Sequence, residues 1–105
     1  MNYETILLNM GNGVATITMN NPKTLNALSG LTIRELSDAL TVLEADDTIR
    51  VVVVTGSGKA FVAGADIPYM AEMTPEQARG FARDTTEIYQ RMSDSNKVFI
   101  AAVNG

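Results

Sequence analysis

The sequence contains neither cysteine nor histidine. Without cysteine there is no disulfide and no thiolate metal ligand, and without histidine the commonest general base and the commonest metal ligand are both missing. No metal site is expected, and serine–histidine and cysteine–histidine hydrolase chemistry is excluded within these residues. Tryptophan is absent as well, and aromatic residues make up only 6%. Positive charge is scarce: eight Lys plus Arg stand against twelve Asp plus Glu, for a net charge of -4 and a pI near 4.6. That is the wrong sign for a small domain that grips a phosphate backbone, so nucleic acid is not an expected partner. No apolar run approaches the roughly 18 residues of a membrane span, and the opening MNYETILLNMGNG lacks the basic start and apolar centre of a signal peptide. No membrane partner is expected, and the expected location is cytoplasmic.

What is present describes a folded chain. Its 105 residues are 46% apolar and 19% charged, which suits one globular domain and leaves no room for two. Ile6, Leu8 and Met10 alternate with other positions, Gly11-Asn12-Gly13 follows, and residues 14–19 alternate again with β-branched Val, Thr and Ile. That pattern predicts a β-hairpin. Asn20-Asn21-Pro22 breaks it, and a loop runs through Asn26. Ile33, Leu36, Leu40 and Leu43 then mark one face of a helix capped by Ser29 and ended by Ala45-Asp46-Asp47.

The unbroken run 51–54 predicts a strand buried on both faces. Thr74-Pro75-Glu76-Gln77 is a capping-box start for a second long helix, with Ala78, Phe81, Ala82, Thr85, Ile88, Tyr89 and Met92 on its inner face. Residues 98–103 form a final apolar strand. Hairpin, helix, buried strand, helix and strand make an α/β pattern without internal repeats.

Nucleotide motifs fail. Gly56-Ser57-Gly58-Lys59 resembles part of a phosphate loop, but Val53 and Ala60 stand where that motif needs glycine and a hydroxyl. A dinucleotide fingerprint would place its third glycine on Phe61 or Thr16. What remains is the small-residue stretch Ala63, Gly64 and Ala65, followed by Asp66 as a candidate cap ahead of Ile67-Pro68. It reads either as a tight turn of small residues or as an anion-stabilising turn in which the Ala65 N–H, aimed by a helix start, donates to an oxyanion. Asp66 and Glu72 are six apart and would face different ways on one helix, while Glu76 and Glu87 read as solvated charges. Tyr69, Met70 and Met73 are candidate walls of an apolar pocket, although methionine is also a common core filler.

Taken together, residues 14–20, Pro22, Asn26-Ala27-Leu28, Glu35-Leu36 with Ala39-Leu40, the run from Val51 to Phe61, Ala63-Gly64-Ala65-Asp66-Ile67 and the closing Ile100-Ala-Ala-Val-Asn-Gly resemble the enoyl-CoA hydratase/isomerase (crotonase) superfamily. The resemblance runs through essentially the whole chain in order. Asn21, where many members have a basic residue, and Val98, where a proline is usual, depart from the pattern. The resemblance implies a crotonase-like ββα spiral of which residues 1–105 would hold only the first turns, as a single partial domain with the CoA-binding half. It implies an acyl-CoA thioester as substrate, with no separate cofactor, and Ala65 as one of two backbone donors to the thioester oxygen. Leu25, Ala27 and Leu28, together with Ala63, Gly64, Asp66 and Ile67, would bind CoA, and Lys23 would meet a CoA phosphate.

In that family the second donor and the pair of glutamates that deliver water lie beyond the motif ending here at Asn104-Gly105. The expectation is therefore an acyl-CoA-binding portion of a lyase-type enzyme that does not hydrate enoyl-CoA alone. The alternative is a small non-catalytic acyl-CoA-binding or oligomer-partner protein. Association with itself or with a longer crotonase-type partner is expected in either case, because residues 98–103 would otherwise leave an apolar strand bare.

Overall fold

The computed structural model describes residues 2–105. Strands β1 (Ile6–Gly11), β2 (Val14–Met19), β3 (Val51–Gly56) and β4 (Val98–Ala101) form one sheet in the order β1-β2-β3-β4. The first pair is antiparallel and the other two are parallel. Helix α1 (Gly30–Glu44) connects β2 to β3, and α2 (Ile67–Ala71) and α3 (Pro75–Asp94) connect β3 to β4. The α/β expectation is met. Among the described residues, no helix is long and apolar enough to cross a membrane.

Local chemistry accounts for most boundaries. Gly11 pairs with Val14, so the hairpin closes over Asn12 and Gly13, both at positive φ (55° and 80°), the conformation that a two-residue turn matched to strand twist requires. Ser29 caps α1 by accepting from Thr32 N at 3.3 Å. Thr74 and Gln77 form a reciprocal capping box on α3 at 3.2 and 3.0 Å.

The predicted helical face 33, 36, 40, 43 is wholly buried and lies on Ile6, Ala15, Ile17, Met19 and Val52 of the sheet, with Ile88 of α3 beside them. Glu35 fastens the chain's start to α1. Buried at 8% exposure, its carboxylate accepts from Glu4 N (2.7 Å), Thr5 N (2.7 Å) and Thr5 Oγ1 (2.5 Å). Burial raises its pKa, but the three donors and nearby Arg34 outweigh it and hold the carboxyl below its ordinary value of 4.5. Tyr3 donates to Asp38 at 2.6 Å, and burial, that bond and the two neighbouring carboxylates push its phenol up to about 12. Arg91 of α3 reaches across to Glu44 (3.2 Å), Ser37 O and Oγ (3.3 and 3.0 Å) and Thr41 Oγ1 (3.0 Å) along one stripe of α1.

Three expectations are corrected. Strand β3 is not buried on both faces: Val52 is fully buried, but Val51, Val53 and Val54 are only half-buried. The helices cover one face of the sheet alone, and the other face presents Leu7, Val14, Val98 and Ile100 to the outside at 38–57% exposure. Val54, on the helix side, borders an apolar cavity of about 300 Å³ between the sheet, α1 and α3.

The inner face of α3 is narrower than predicted, since Ala82 and Tyr89 are exposed and only Ile88 is buried. The last strand stops at Ala101 rather than Val103. After Ala102 N bonds Val54 O, the pairing passes to side-chain bonds: Thr55 of β3 donates through Oγ1 to the Ala102 carbonyl, and the Asn104 side chain takes over Gly56.

Candidate functional site

The stretch singled out in the sequence, residues 63–67, is laid against the loop that precedes α1. Ala63 N donates to Leu25 O at 3.1 Å, Leu28 N to Gly64 O at 2.7 Å and Asp66 N to Leu28 O at 2.8 Å. The last two of these bonds make Leu28 and Ala65 an isolated parallel bridge. In such a pairing the two bonds flank Ala65 on both sides, so its own N–H and carbonyl point away from Leu28. The Ala65 residue is exposed, and its N–H makes no hydrogen bond among the described residues. The helix start expected after Ala65 is present as the five-residue α2 capped by Asp66, and the bridge to Leu28 fixes which way the Ala65 N–H points.

Glycine is required at 64 by the backbone, not by space: its φ is +131°, and a Cβ there would meet nothing within 4 Å. Asp66 caps α2, accepting from Tyr69 N at 3.1 Å, as its position ahead of Ile67-Pro68 predicts. Tyr69 anchors α2 in turn. Its hydroxyl occupies the place a side chain on Gly30 would need, and its ring meets Phe81 edge-on at 5.4 Å. Tyr69 and Met73 border a polar-rimmed cavity of about 510 Å³ together with Arg34 and Phe81, whereas Met70 stands apart from it at 41% exposure.

The structure thus brings Leu25 and Leu28 together with Ala63, Gly64, Ala65 and Asp66. Ala27 lies between the two leucines, half-buried, and its N–H turns back to Thr24 O. Ile67, 77% exposed, and Leu25, 48% exposed, give the surface beside the bridge an apolar character. Lys23 is exposed on the 3-10 turn Pro22–Thr24 and forms no ion pair among the described residues. Of the two carboxylates nearest Ala65 in sequence, Asp66 is engaged as a cap and Glu72 ends α2 exposed.

Two residues in this region escaped functional notice in the sequence. Asn26 is 2% exposed at a φ of +58° and bonds the turn 56–60 through its side chain. Asn104 bonds the same turn from the end of β4. Both stand among the residues that carry the family resemblance, but the one physical signal for the place of Asn26 is its residue type, since asparagine is among the few side chains that tolerate a left-handed backbone.

The enoyl-CoA hydratase/isomerase family matches residues 9–105. The chain belongs to that family. It is 39% identical over 106 residues to a crotonyl-CoA hydratase of Syntrophomonas wolfei, covering 100% of this chain and 41% of that protein. It is 41% identical over 105 residues to a probable enoyl-CoA hydratase of Mycobacterium tuberculosis, covering 100% of this chain and 40% of that protein. An enoyl-CoA hydratase structure from Bacillus anthracis superposes with a TM-score of 0.92 at 31% identity, covering 97% of this chain and 40% of that one. This hydratase/isomerase family member therefore spans about 40% of the length of the relatives it matches, and its mixed α/β sheet with flanking helices is their crotonase-type fold over that share.

Proposed function

We propose that this chain binds the thioester end of an acyl-CoA, with the Ala65 N–H donating to the thioester oxygen. The observation that carries the reading is the outward N–H of exposed Ala65, which has no hydrogen-bond partner among the described residues. A backbone donor fixed before the ligand arrives needs no reorganisation and acts where negative charge develops as a thioester becomes an enolate. In this reading Leu25, Ala27 and Leu28 form one side of the CoA surface, and Ala63, Gly64, Asp66 and Ile67 form the other. Lys23, on the turn that leads into Leu25, serves a CoA phosphate. The coenzyme enters as part of the substrate and not as a resident cofactor.

Hydration is not expected of these 105 residues by themselves. Water addition needs a general acid and base within hydrogen-bond reach of the reacting atoms, and Asp66 and Glu72 are disposed otherwise.

Calorimetric titration with crotonyl-CoA and with free CoA tests the reading. The Ala65→Pro variant, which lacks the N–H, is expected to bind crotonyl-CoA about three- to tenfold more weakly and free CoA unchanged, the worth of one hydrogen bond. Equal affinity of both proteins for crotonyl-CoA would remove Ala65 from the site.

A further inference from the structure

The turn between β3 and the bridge has little to hold it by packing. Residues 56–60 read Gly-Ser-Gly-Lys-Ala, with Gly58 and Lys59 exposed. Ser57 ties it to β2 and the residue after it, donating through N to Met19 O (2.8 Å) and through Oγ to Asn20 Oδ1 (3.1 Å), and two amide side chains from distant parts of the chain hold the rest. Asn26 donates through Nδ2 to Ser57 O (3.0 Å) and Ala60 O (2.9 Å), while its Oδ1 accepts from Asn21 N (2.7 Å). Asn104 donates through Nδ2 to Gly56 O (2.9 Å) and Gly58 O (3.2 Å), lies 3.5 Å from the same Ala60 O, and accepts from Gly56 N through Oδ1 (3.2 Å). Four carbonyls of one short turn are thus satisfied by two side chains. Only an amide suits both places, because each needs two donors and one acceptor on a short stem. The turn also folds back tightly: a Cβ on Gly56 would stand 2.6 Å from Phe61 O, and one on Gly105 would run into the Lys59 carbonyl.

Asn26 sits inside the segment that carries Leu28, the bridge partner of Ala65, while its side chain grips the turn that leads to Ala65 five residues later. It therefore ties both sides of the bridge into one unit. Asn104 ties that unit to the sheet through β4.

We propose that Asn26 and Asn104 are positioning residues for the Ala65 N–H, which set the place and direction of the donor without touching the ligand. The inference rests on the acyl-CoA reading of that N–H. It adds that the donor's geometry is controlled from the end of β4 as well as from the loop before α1.

The test uses the 105-residue chain and the variants Asn104→Ala, at an exposed position, and Asn26→Gly, which keeps the left-handed backbone and deletes only the side chain. In the ligand-free protein, nitrogen-15 relaxation reads the order of each amide. The amides of Gly64, Ala65 and Asp66 are expected to fall from about 0.85 in the parent to below about 0.6 in Asn104→Ala, with those of Ile17 and Val52 unmoved. Unchanged order at 64–66 in both variants overturns the proposal, and if Asn26→Gly fails to fold, Asn104→Ala decides alone.

The infrared carbonyl band of bound crotonyl-CoA gives the second readout. It is expected at lower wavenumber on the parent than in water, and closer to its position in water on Asn104→Ala. A full shift retained by the variant also overturns the positioning role. No shift on the parent overturns the acyl-CoA reading instead, and the relaxation data then judge the positioning role on their own.

Discussion

Helices α1 and α3 both begin on a hydroxyl cap, yet they are held by opposite means. In its 15 residues α1 buries eight, with no acidic residue in its first turn and no basic one in its last. In its 20 residues α3 buries Ile88 alone, but carries a capping box, proline at its start, Glu76 in its first turn and Arg91 in its last. The helix with the better local chemistry is the one with less packing. Because tertiary burial of an apolar face supplies most of a helix's stability in a protein, α1 belongs to the cooperative core and α3 to the part that opens at lower cost.

The sharpest way to break this comparison is to delete core atoms from each helix. Leu40→Ala is expected to lower the unfolding free energy by about 3–4 kcal/mol, because Leu40 is 1% exposed between α1 and the sheet. Ile88→Ala should cost about 2 kcal/mol, the low end of the range, because the rest of α3 is exposed or half-buried and can settle into the space left. Equal losses in denaturant titration would place α3 in the same core as α1.

Next comes Glu35, which joins the segment just before β1 to α1. Its folded pKa lies below the ordinary value, so it contributes stability that is fully present above pH 4.5 and lost as the pH falls through the folded value. Glu35→Gln should cost about 1–3 kcal/mol at neutral pH and flatten the dependence of melting temperature on pH below 4.5. An unaltered acid limb would assign that dependence to other carboxylates. The smallest expected effect is that of Thr74→Ala, about 1 kcal/mol, confined to α3. Hydrogen exchange should quicken in the first two turns of α3 and not in β2, and a matching change in β2 would erase the distinction between the helices.

The same division separates what was legible in the sequence from what was not. The hairpin turn at Asn12 and Gly13, the caps Ser29, Asp66 and Thr74 and the buried stripe of α1 are set by residues within a few positions of one another, and spacing alone reveals them. The bare second face of β3 was illegible, because Val51 and Val53 look alike whether or not something distant covers them. Residues 63–67 stood out by composition. The direction of the Ala65 N–H did not, since it depends on pairing with Leu28 across 37 positions of chain (65 − 28). Asn26 and Asn104 were hidden for the same reason: each works on carbonyls more than 30 residues away, and an asparagine in a loop gives no hint of its target.

Arg91 gives α3 a property that apolar contact would not. Its guanidinium meets Ser37, Thr41 and Glu44, which follow one another along a single line on α1. Greasy surfaces tolerate sliding, whereas a planar fork with fixed donor directions does not. If α3 moved by one turn along its neighbour, every one of these bonds would be lost together, yet a small pivot about Arg91 would leave them in place. The helix is thus indexed like a pawl in a ratchet tooth, free to rock and barred from slipping.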